Sequence, residues 1–293
     1  MGWLKVTFWG VRGSIPVPGP STMRYGGNTA CLDLRTPDGG WLVFDAGTGI
    51  RVLGNSLDLS RKHNIHLFIS HPHWDHISGF PFFPPIYIPG NTITVYGPGT
   101  FEMSLDDIIN GQMKYSYFPV RTVELLADIS FRQLEEERIE VGEFAIDTIS
   151  LNHPVACLGY RVTWRDSVFI YLGDNEPYFN IYSEDGDSEL NEFVGSLNRR
   201  LLEFVTGADM LVTDAQYLPS EYRSKVGWGH STTHHVMNLA ARARVKKLVF
   251  FHHEPTRTDN QLDVIVEHYR HKVLEKGMSL EVHAAIEGAT IRF

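Results

Sequence analysis

Cysteine is scarce in this sequence, which contains only Cys31 and Cys157. A small secreted protein held together by several disulfides is therefore excluded. No apolar run approaches the roughly 20 residues that a helix needs to cross a membrane, and residues 1–6 lack the apolar segment of a signal peptide. These absences predict a cytoplasmic protein without a membrane anchor.

Basic residues are also few, because 26 Lys and Arg stand against 35 Asp and Glu and give a formal net charge of −9. A protein that grips nucleic acid through its phosphates usually presents a basic surface. The charge balance therefore predicts that nucleic acid is an unlikely partner and that the substrate is a small molecule.

The apolar residues form a pattern of short strands that alternate with helices. Hydrophobic residues make up 43% of the 293 positions, enough for one large core, and no linker or repeat divides the chain. The strands are predicted at Lys5–Trp9, Ala30–Leu34, Trp41–Phe44 and Ile65–Ile69. The helices are predicted at Glu102–Met113, Leu190–Val205, Thr232–Ala243 and Gln261–Lys276. We therefore expect a single layered α/β domain that spans residues 1–293.

The densest cluster of potential metal ligands lies in residues 70–76, which read SHPHWDH and follow a predicted strand. The four candidates in it are His71, His73, Asp75 and His76. Imidazole and carboxylate groups are the ligands that zinc and similar cations take. The mostly apolar residues 77–83 come next and would bury this loop, which a merely solvated His-rich loop does not require. The segment therefore predicts a metal site.

This H-x-H-x-D-H pattern resembles that of the metallo-β-lactamase superfamily of metal-dependent hydrolases. Further family ligands follow in order, each at or just beyond the end of an apolar run, at His153, Asp174 and His252. Upstream, residues 43–49 read VFDAGTG and are similar to the family's first motif, whose aspartate, here Asp45, orients a ligand histidine. The resemblance covers nearly the whole chain and implies an α/β fold of the αββα four-layer sandwich type.

The resemblance implies seven metal ligands, which are too many for one tetrahedral ion and suit two. It assigns the first ion to His71, His73 and His153, the second to Asp75, His76 and His252, and the position between the two ions to Asp174. The expected cofactors are two divalent metal ions, zinc in the first place, with manganese or iron as alternatives. Such a pair can activate water for hydrolysis, with Asp75 as a catalytic carboxylate.

A second motif, GHST at residues 229–232, stands directly before a predicted helix. It resembles the phosphodiesterase branch of the superfamily, which includes tRNA 3′-end processing enzymes, phosphonate-pathway cyclic phosphodiesterases and cyclic-nucleotide phosphodiesterases. In that branch the motif histidine, here His230, is taken as the general acid that protonates the leaving oxygen. A turn with a helix cap would explain Ser231 but gives no reason for His230.

Three kinds of substrate are open to such a site. We expect a cyclic nucleotide, because the strings FWGVRGSIP (8–16), RYGGNT (24–29) and FHHEP (251–255) are similar to a bacterial group assigned as cyclic-nucleotide phosphodiesterase-like. The alternatives are a carboxylic ester, lactone or thioester, and the 3′ end of a tRNA. Residues 77–152, where the resemblance would locate a tRNA-gripping arm, hold four basic residues against eleven acidic ones, which disfavours the tRNA alternative.

The same strings contain candidate substrate contacts at Arg12, Arg24, Asn28 and His253. Solvent-facing arginines and tight turns explain these strings about equally well. The aromatic residues after the metal loop could stack a base, fill a core or form an interface. We expect a homodimer, and Tyr117 and Phe118 are the residues to inspect for its interface.

Overall fold

Two β-sheets of seven strands each lie face to face in the computed structural model, which describes residues 2–179 and 188–293. The strands of the described residues are β1 (Lys5–Gly10), β2 (Cys31–Arg35), β3 (Trp41–Phe44), β4 (Asn64–Phe68), β5 (Thr92–Gly97), β6 (Asp128–Gln133), β7 (Arg138–Val141), β8 (Phe144–Ser150), β9 (Leu158–Trp164), β10 (Ser167–Leu172), β11 (Met210–Asp214), β12 (Lys247–Phe251), β13 (Glu281–Ala284) and β14 (Thr290–Arg292). The α-helices are α1 (Gly49–Asn55), α2 (Trp74–Ile77), α3 (Leu105–Gln112), α4 (Ser188–Val205), α5 (Thr233–Arg242) and α6 (Asp259–Glu275).

The order of the strands brings several strand ends to one edge. The first sheet has the order β14-β1-β2-β3-β4-β5-β6, and the second has the order β13-β12-β11-β10-β9-β8-β7. Strands β3 to β6 are parallel to one another, and so are strands β10 to β13. Strand β8 points the same way as β10, since both are antiparallel to β9. Loops that leave the carboxyl ends of such strands are where α/β folds build their sites.

Three layers of buried side chains hold the sheets and helices together. Between the sheets, the ring of Phe44 lies with its centroid 5.5, 5.7 and 5.7 Å from those of Phe68, Tyr160 and Phe169. The outer face of the second sheet packs against α4, α5 and α6, and the outer face of the first packs against α1 and α3. Because strand side chains alternate between two faces, both sheets can bury both faces. The predicted four-layer α/β sandwich is confirmed.

The helix ends differ slightly from the predicted ones, for reasons of capping. Helix α3 begins at Leu105 because the side chain of Ser104 accepts a hydrogen bond from the backbone N–H of Asp107. Helix α6 begins after Thr258, which forms a reciprocal cap with Gln261. Helix α1 has no counterpart among the predicted helices because two of its seven residues are glycines, which disfavour helix. Within residues 2–179 and 188–293, no helix has the length and apolar character needed to span a membrane.

Candidate metal centre and active site

Three overlapping groups of side chains that could hold a metal ion meet close to where loops leave strands β4, β8, β10, β11 and β12. In each group the donor atoms lie within 4.8 Å of one another. The members of the first group are His71, His73, His153 and Asp174, and those of the second are Asp75, His76, Asp174 and His252. The third and smallest group consists of Asp214, His230 and His252, and it shares His252 with the second. The structure thus brings together all seven residues predicted as metal ligands, and Asp174 belongs to both of the first two groups.

The turn at His73 decides which side chains of the first motif can meet. On a continued strand His73 and His76 would point to opposite faces of the sheet. The chain instead has extended backbone at His73, with φ −64° and ψ 150°, and then turns into the short helix α2. Asp75 and His76 lie in that helical turn and are buried with the rest of the cluster.

The backbone at the end of β12 distinguishes His252 from its neighbour. His252 has a φ of 56°, in the left-handed region that costs a residue with a side chain roughly 1–3 kcal/mol. In this conformation its Nε2 lies 3.0 Å from Asp75 Oδ2. The ring of His253 is buried elsewhere, with Nε2 2.9 Å from the carbonyl oxygen of Ala285. His252, and not His253, therefore belongs to the cluster.

The hydrogen bonds around His76 and His252 leave their Nε2 atoms facing each other at 3.2 Å. The Nδ1 atom of His76 lies 2.8 Å from Asp45 Oδ2, and that of His252 lies 2.9 Å from Gln216 Oε1. Because these oxygens accept, both rings carry a proton on Nδ1, and in the neutral form of the two rings their Nε2 lone pairs would face each other. A shared cation would stabilise this otherwise repulsive arrangement.

The first group contains two buried polar atoms without hydrogen-bond partners among the described residues. His153 donates Nδ1–H to the carbonyl oxygen of Gly229 at 3.0 Å, so its Nε2 lone pair faces His73 Nδ1 at 3.1 Å. His71 Nε2 and Asp174 Oδ1 are buried and have no hydrogen-bond partner. Buried polar atoms are rarely left unpaired. The donor set and its unpaired atoms therefore fit divalent cations.

Burial and charge set the protonation states of the cluster. At His76 burial opposes the charged form, but Asp174, Asp75 and Asp45 outweigh burial and raise the pKa of His76 well above its usual value, so a cation bound there would displace a proton. Burial lowers the pKa values of His71, His73 and His153, so their rings stay neutral. Burial alone would raise the pKa of Asp174, but the nearby histidines, His252 foremost, outweigh it and hold that pKa well below its usual range. Neutral imidazole and ionised carboxylate are the forms that ligate a cation.

Asp45 forms hydrogen bonds to two residues of the metal loop, Ser70 and His76. It is fully buried, has a φ of 59°, and accepts hydrogen bonds from the backbone N–H of Ser70 at 2.7 Å and the hydroxyl of Ser70 at 2.9 Å. Its Oδ2 also accepts the His76 Nδ1–H and the hydroxyl of Tyr171. These contacts fix the orientation of the His76 ring, which is the supporting part that the sequence predicts for Asp45.

His230 lies beside the cluster and faces two carboxylates. Its Nδ1 is 3.2 Å from Asp214 Oδ2 and 3.8 Å from Asp174 Oδ2, and its ring stacks on that of His252 with centroids 5.1 Å apart. Burial opposes its charged form, but Asp214 and Asp174 outweigh burial and raise the pKa of His230 to about 9. The ring can therefore carry a proton at neutral pH.

Glu176 fixes the loop that precedes His230. Its carboxylate accepts the backbone N–H of Gly227 at 2.9 Å and that of Gly229 at 2.8 Å, and also the hydroxyl of Tyr222. Gly229 has a φ of +82°, and a Cβ there would lie 2.2 Å from His153 Nδ1. The loop thus approaches the cluster so closely that only glycine fits.

Sequence reasoning missed three buried polar residues at this site, Asp214, Glu176 and Gln216. Asp214 follows the mostly apolar run 210–213, much as Asp174 follows its own run, and this similarity was the available signal. Glu176 and Gln216 stand in no recognisable pattern. Their contacts with the Gly227–Gly229 loop and with His252 arise only from the fold.

The structure does not bring the four predicted substrate contacts into the cluster. Arg12 is fully buried and donates to the carbonyl oxygens of Gly26 at 2.8 Å and Arg257 at 2.7 Å. The remaining three also have partners within the fold, namely Arg24 with Asp263, Asn28 with Glu287, and His253 with Ala285. The buried Arg12 therefore has no exposed donor for a phosphate, whereas substrate contact by the other three stays a prediction.

Tyr117 and Phe118 lie apart from the core between the sheets. The Tyr117 side chain is 79% exposed, whereas Phe118 is partly buried and packs edge to face on Phe82 with ring centroids 5.3 Å apart. The homodimer predicted from these aromatics stays a prediction.

Comparisons with known proteins find relatives in sequence and in fold. Ribonuclease Z of Bacillus cereus is 25% identical over 284 residues, covering 85% of this chain and 88% of the relative. The metallo-β-lactamase fold protein YhfI of Bacillus subtilis has a TM-score of 0.68 at 18% identity and covers 99% of this chain and 100% of its own. The short form of human tRNase Z has a TM-score of 0.63 at 21% identity, with 98% of both chains covered.

The prediction that nucleic acid is an unlikely partner is contradicted by these relatives. Ribonuclease Z and tRNase Z are named for action on RNA, and they share most of their length with this chain. The net charge of −9 failed as evidence because total charge does not report the local surface that would meet an RNA.

The family model described as Beta-lactamase superfamily domain matches residues 40–253, from the strand before Asp45 to the residue after His252. The matched region contains all seven candidate metal ligands as well as Asp214 and His230. The chain therefore belongs to the metallo-β-lactamase superfamily.

Proposed function

We propose that the protein is a metal-dependent phosphodiesterase whose general acid is His230. The observation that carries the proposal is the position of His230 Nδ1, 3.2 Å from Asp214 Oδ2 and beside the metal-binding cluster. A histidine held by a buried carboxylate next to the reacting centre is suited to protonating the oxygen that leaves phosphorus.

The first two groups of donors would hold two divalent cations. We propose zinc, and manganese and iron(II) fit the same imidazole and carboxylate donors. The ligands would be His71, His73 and His153 for one ion and Asp75, His76 and His252 for the other, with Asp174 shared. When bound, such a pair supplies Lewis-acid activation of water and offsets the charge of the phosphoryl oxygens.

The chain's own residues supply orientation and the proton. Asp214 accepts Nδ1–H from His230, which fixes the ring and leaves Nε2–H for the leaving oxygen. Asp75 accepts the backbone N–H of Ser14 at 2.7 Å, and we assign this held carboxylate to orienting the attacking water. Asp45 acts through His76 as a positioning residue.

We propose a cyclic nucleotide as the substrate. The similarity of residues 8–16, 24–29 and 251–255 to cyclic-nucleotide phosphodiesterase-like proteins supports this choice. A second candidate is the 3′ end of an RNA, and the similarity to ribonuclease Z over 85% of this chain supports it. Both substrates present a phosphodiester whose leaving oxygen is an alkoxide and therefore needs an acid.

The test is hydrolysis by the purified protein loaded with zinc or manganese. The panel contains 2′,3′-cyclic and 3′,5′-cyclic nucleotides, a precursor tRNA with a 3′ trailer, and carboxylic ester, lactone and thioester substrates. Each is assayed with wild type, with His230→Ala, and with His234→Ala as a matched control. His234 lies in the same segment but is exposed, and its ring hydrogen-bonds to the Asn238 side chain.

We expect turnover of a cyclic nucleotide or of the RNA that His230→Ala abolishes and His234→Ala preserves. The substrate that is cleaved decides between the two candidates. If the protein binds about two metal ions yet leaves every phosphodiester intact, the proposal fails. It also fails if only carboxylic esters or thioesters are cleaved and His230→Ala has no effect.

A further inference from the structure

A cleft of about 1030 Å³ opens directly beside the metal-binding loops. Pro72 lies between His71 and His73, Pro154 follows His153, and both prolines line the cleft. Its aromatic lining residues are Trp74, Phe82, Phe101, Tyr117 and Phe118. The cleft is therefore lined by residues next to three of the candidate ligands, and several of its lining residues are aromatic.

Most of these rings are exposed. Trp74 is 81% exposed and Tyr117 is 79% exposed, although tryptophan and tyrosine normally bury most of their surface. Contiguous exposed apolar surface in a concavity marks a binding site more often than chance exposure. Trp74 is also the first residue of α2, between His73 and Asp75, so its position is tied to that of two candidate ligands.

The charge of the lining limits what can occupy the cleft. Glu102 is the only formally charged residue among the residues that line it. Without a lysine or arginine, the cleft has no partner for a phosphate beyond the one at the metal centre. Its occupant should therefore be uncharged, and the aromatic lining residues favour a flat group.

We propose that the cleft binds the nucleobase of the substrate, which stacks on Trp74 while the phosphodiester lies at the metal centre. The inference rests on the proposed phosphodiesterase function and deepens it by naming the part of the substrate that gives affinity. Stacking on an aromatic ring is tolerant of base identity, so this subsite would accept both purines and pyrimidines.

Equilibrium binding tests the subsite without turnover. Zinc-loaded protein is titrated with adenosine 5′-monophosphate and with ribose 5-phosphate, which differ only by the base. We expect wild type to bind the nucleotide roughly 5- to 150-fold more tightly, the range that stacking of one base gives. Trp74→Leu should remove most of this difference and leave the affinity for ribose 5-phosphate and the metal content unchanged.

Trp3→Leu is the matched control, because Trp3 packs against Arg292 and does not line the cleft. This variant should keep the preference for the nucleotide. If wild type binds adenosine 5′-monophosphate and ribose 5-phosphate with equal affinity, the proposed base subsite is wrong. The subsite is also overturned if the protein forms a stable dimer that shields Trp74 from a fluorescence quencher and binds the nucleotide no more tightly than ribose 5-phosphate.

Kinetics distinguish the two sources of the base. Trp74→Leu is compared with wild type on each substrate that wild type cleaves, with a cyclic nucleotide and a precursor RNA as the two candidates. A selective loss of kcat/KM on one of them identifies that substrate as the source, and no loss on any cleaved substrate overturns the inference. If no phosphodiester is cleaved but the nucleotide preference depends on Trp74, the proposed function fails and the subsite stands.

Discussion

The Nδ1 atom of His230 lies 3.2 Å from Oδ2 of Asp214, and the same carboxylate oxygen accepts the backbone N–H of Ser231 at 2.9 Å. Asp214 thus holds both the ring of His230 and the backbone that follows it. The pair is nearly inaccessible to solvent. An imidazole held in this way has a fixed tautomer, which is what a proton donor at a reacting oxygen requires.

The first prediction concerns the leaving group. We expect His230→Ala to lower kcat/KM for a cyclic nucleotide roughly 10²- to 10⁴-fold, the usual contribution of a general acid. The alkoxide that leaves from a nucleotide is strongly basic and must be protonated. p-Nitrophenolate is a weak base that needs little help, so bis(p-nitrophenyl) phosphate should be cleaved by this variant almost as fast as by wild type. Steady-state kinetics on both substrates measure the contrast.

Asp214→Asn tests the partner of the acid. The amide keeps the shape of the side chain but loses the charge, so we expect a fall of about 10- to 100-fold in kcat for the nucleotide. The control readout is metal content, which should stay at the wild-type value. Equal losses on the nucleotide and on bis(p-nitrophenyl) phosphate would contradict the acid, because a general defect of the site slows both.

The candidate ligands could be predicted from sequence because they either share one short motif or stand at or just beyond the end of an apolar run. His71, His73, Asp75 and His76 lie within one short motif, and a single bend brings them together. Asp214 could not be singled out, because one aspartate after an apolar run is common. It meets His230 only because β11 lies between β10 and β12 in the sheet.

Arg12 shows a second limit of sequence reasoning. A glycine-rich string with an arginine is consistent with a phosphate contact, but it is equally consistent with an arginine buried against carbonyl groups. The structure has the second arrangement, with Arg12 Nε 2.8 Å from the Gly26 carbonyl oxygen. Only the three-dimensional path of residues 24–29 and 254–259 decides this, because the partners are distant in sequence.

The second prediction concerns Glu176, which fixes the loop before His230. Glu176→Gln replaces a buried acceptor of two backbone N–H groups with an amide that can accept fewer hydrogen bonds. We expect a loss of about 1–3 kcal/mol in the free energy of unfolding, measured with urea, because a buried donor is left unpaired. We also expect a lower kcat for the nucleotide with unchanged metal content.

Tyr222→Phe is the control for this prediction. It removes only the hydroxyl that donates to Glu176 and leaves both backbone contacts in place. Its effect on kcat should be much smaller than that of Glu176→Gln. If the two variants lose kcat equally, Glu176 does not act through the glycine loop.

The third prediction concerns the affinity for metal. Asp45→Asn removes the charge of the group that accepts His76 Nδ1–H, and the amide has one accepting oxygen where the carboxylate has two. Loss of such a supporting carboxylate usually weakens metal binding 10- to 100-fold. Competition with a chromophoric chelator should show this loss at one of two ions. Tyr171→Phe is the control, because it removes only one donor to Asp45 and should retain the wild-type affinity for metal. An unchanged metal affinity in Asp45→Asn would show that the His76 ring does not depend on Asp45 for its orientation.

The last prediction compares two glycines of one loop that share a backbone conformation but differ in surroundings. Gly227 and Gly229 have φ values of +85° and +82°, so alanine at either position carries the same left-handed penalty of about 1–2 kcal/mol. A Cβ at Gly227 meets nothing within 4 Å, whereas a Cβ at Gly229 lies 2.2 Å from His153 Nδ1 and 2.5 Å from Pro154 Cδ.

Gly229→Ala must therefore displace the ring of His153 or the loop that carries His230, and we expect loss of one metal ion per chain together with phosphodiesterase activity. Gly227→Ala should lose only stability and keep both ions, as measured by elemental analysis of the purified proteins. Because the backbone cost is common to the two variants, their difference isolates the contact with His153. Two intact metal ions and wild-type kcat in Gly229→Ala would mean that His153 tolerates displacement, and its assignment as a ligand would then be wrong.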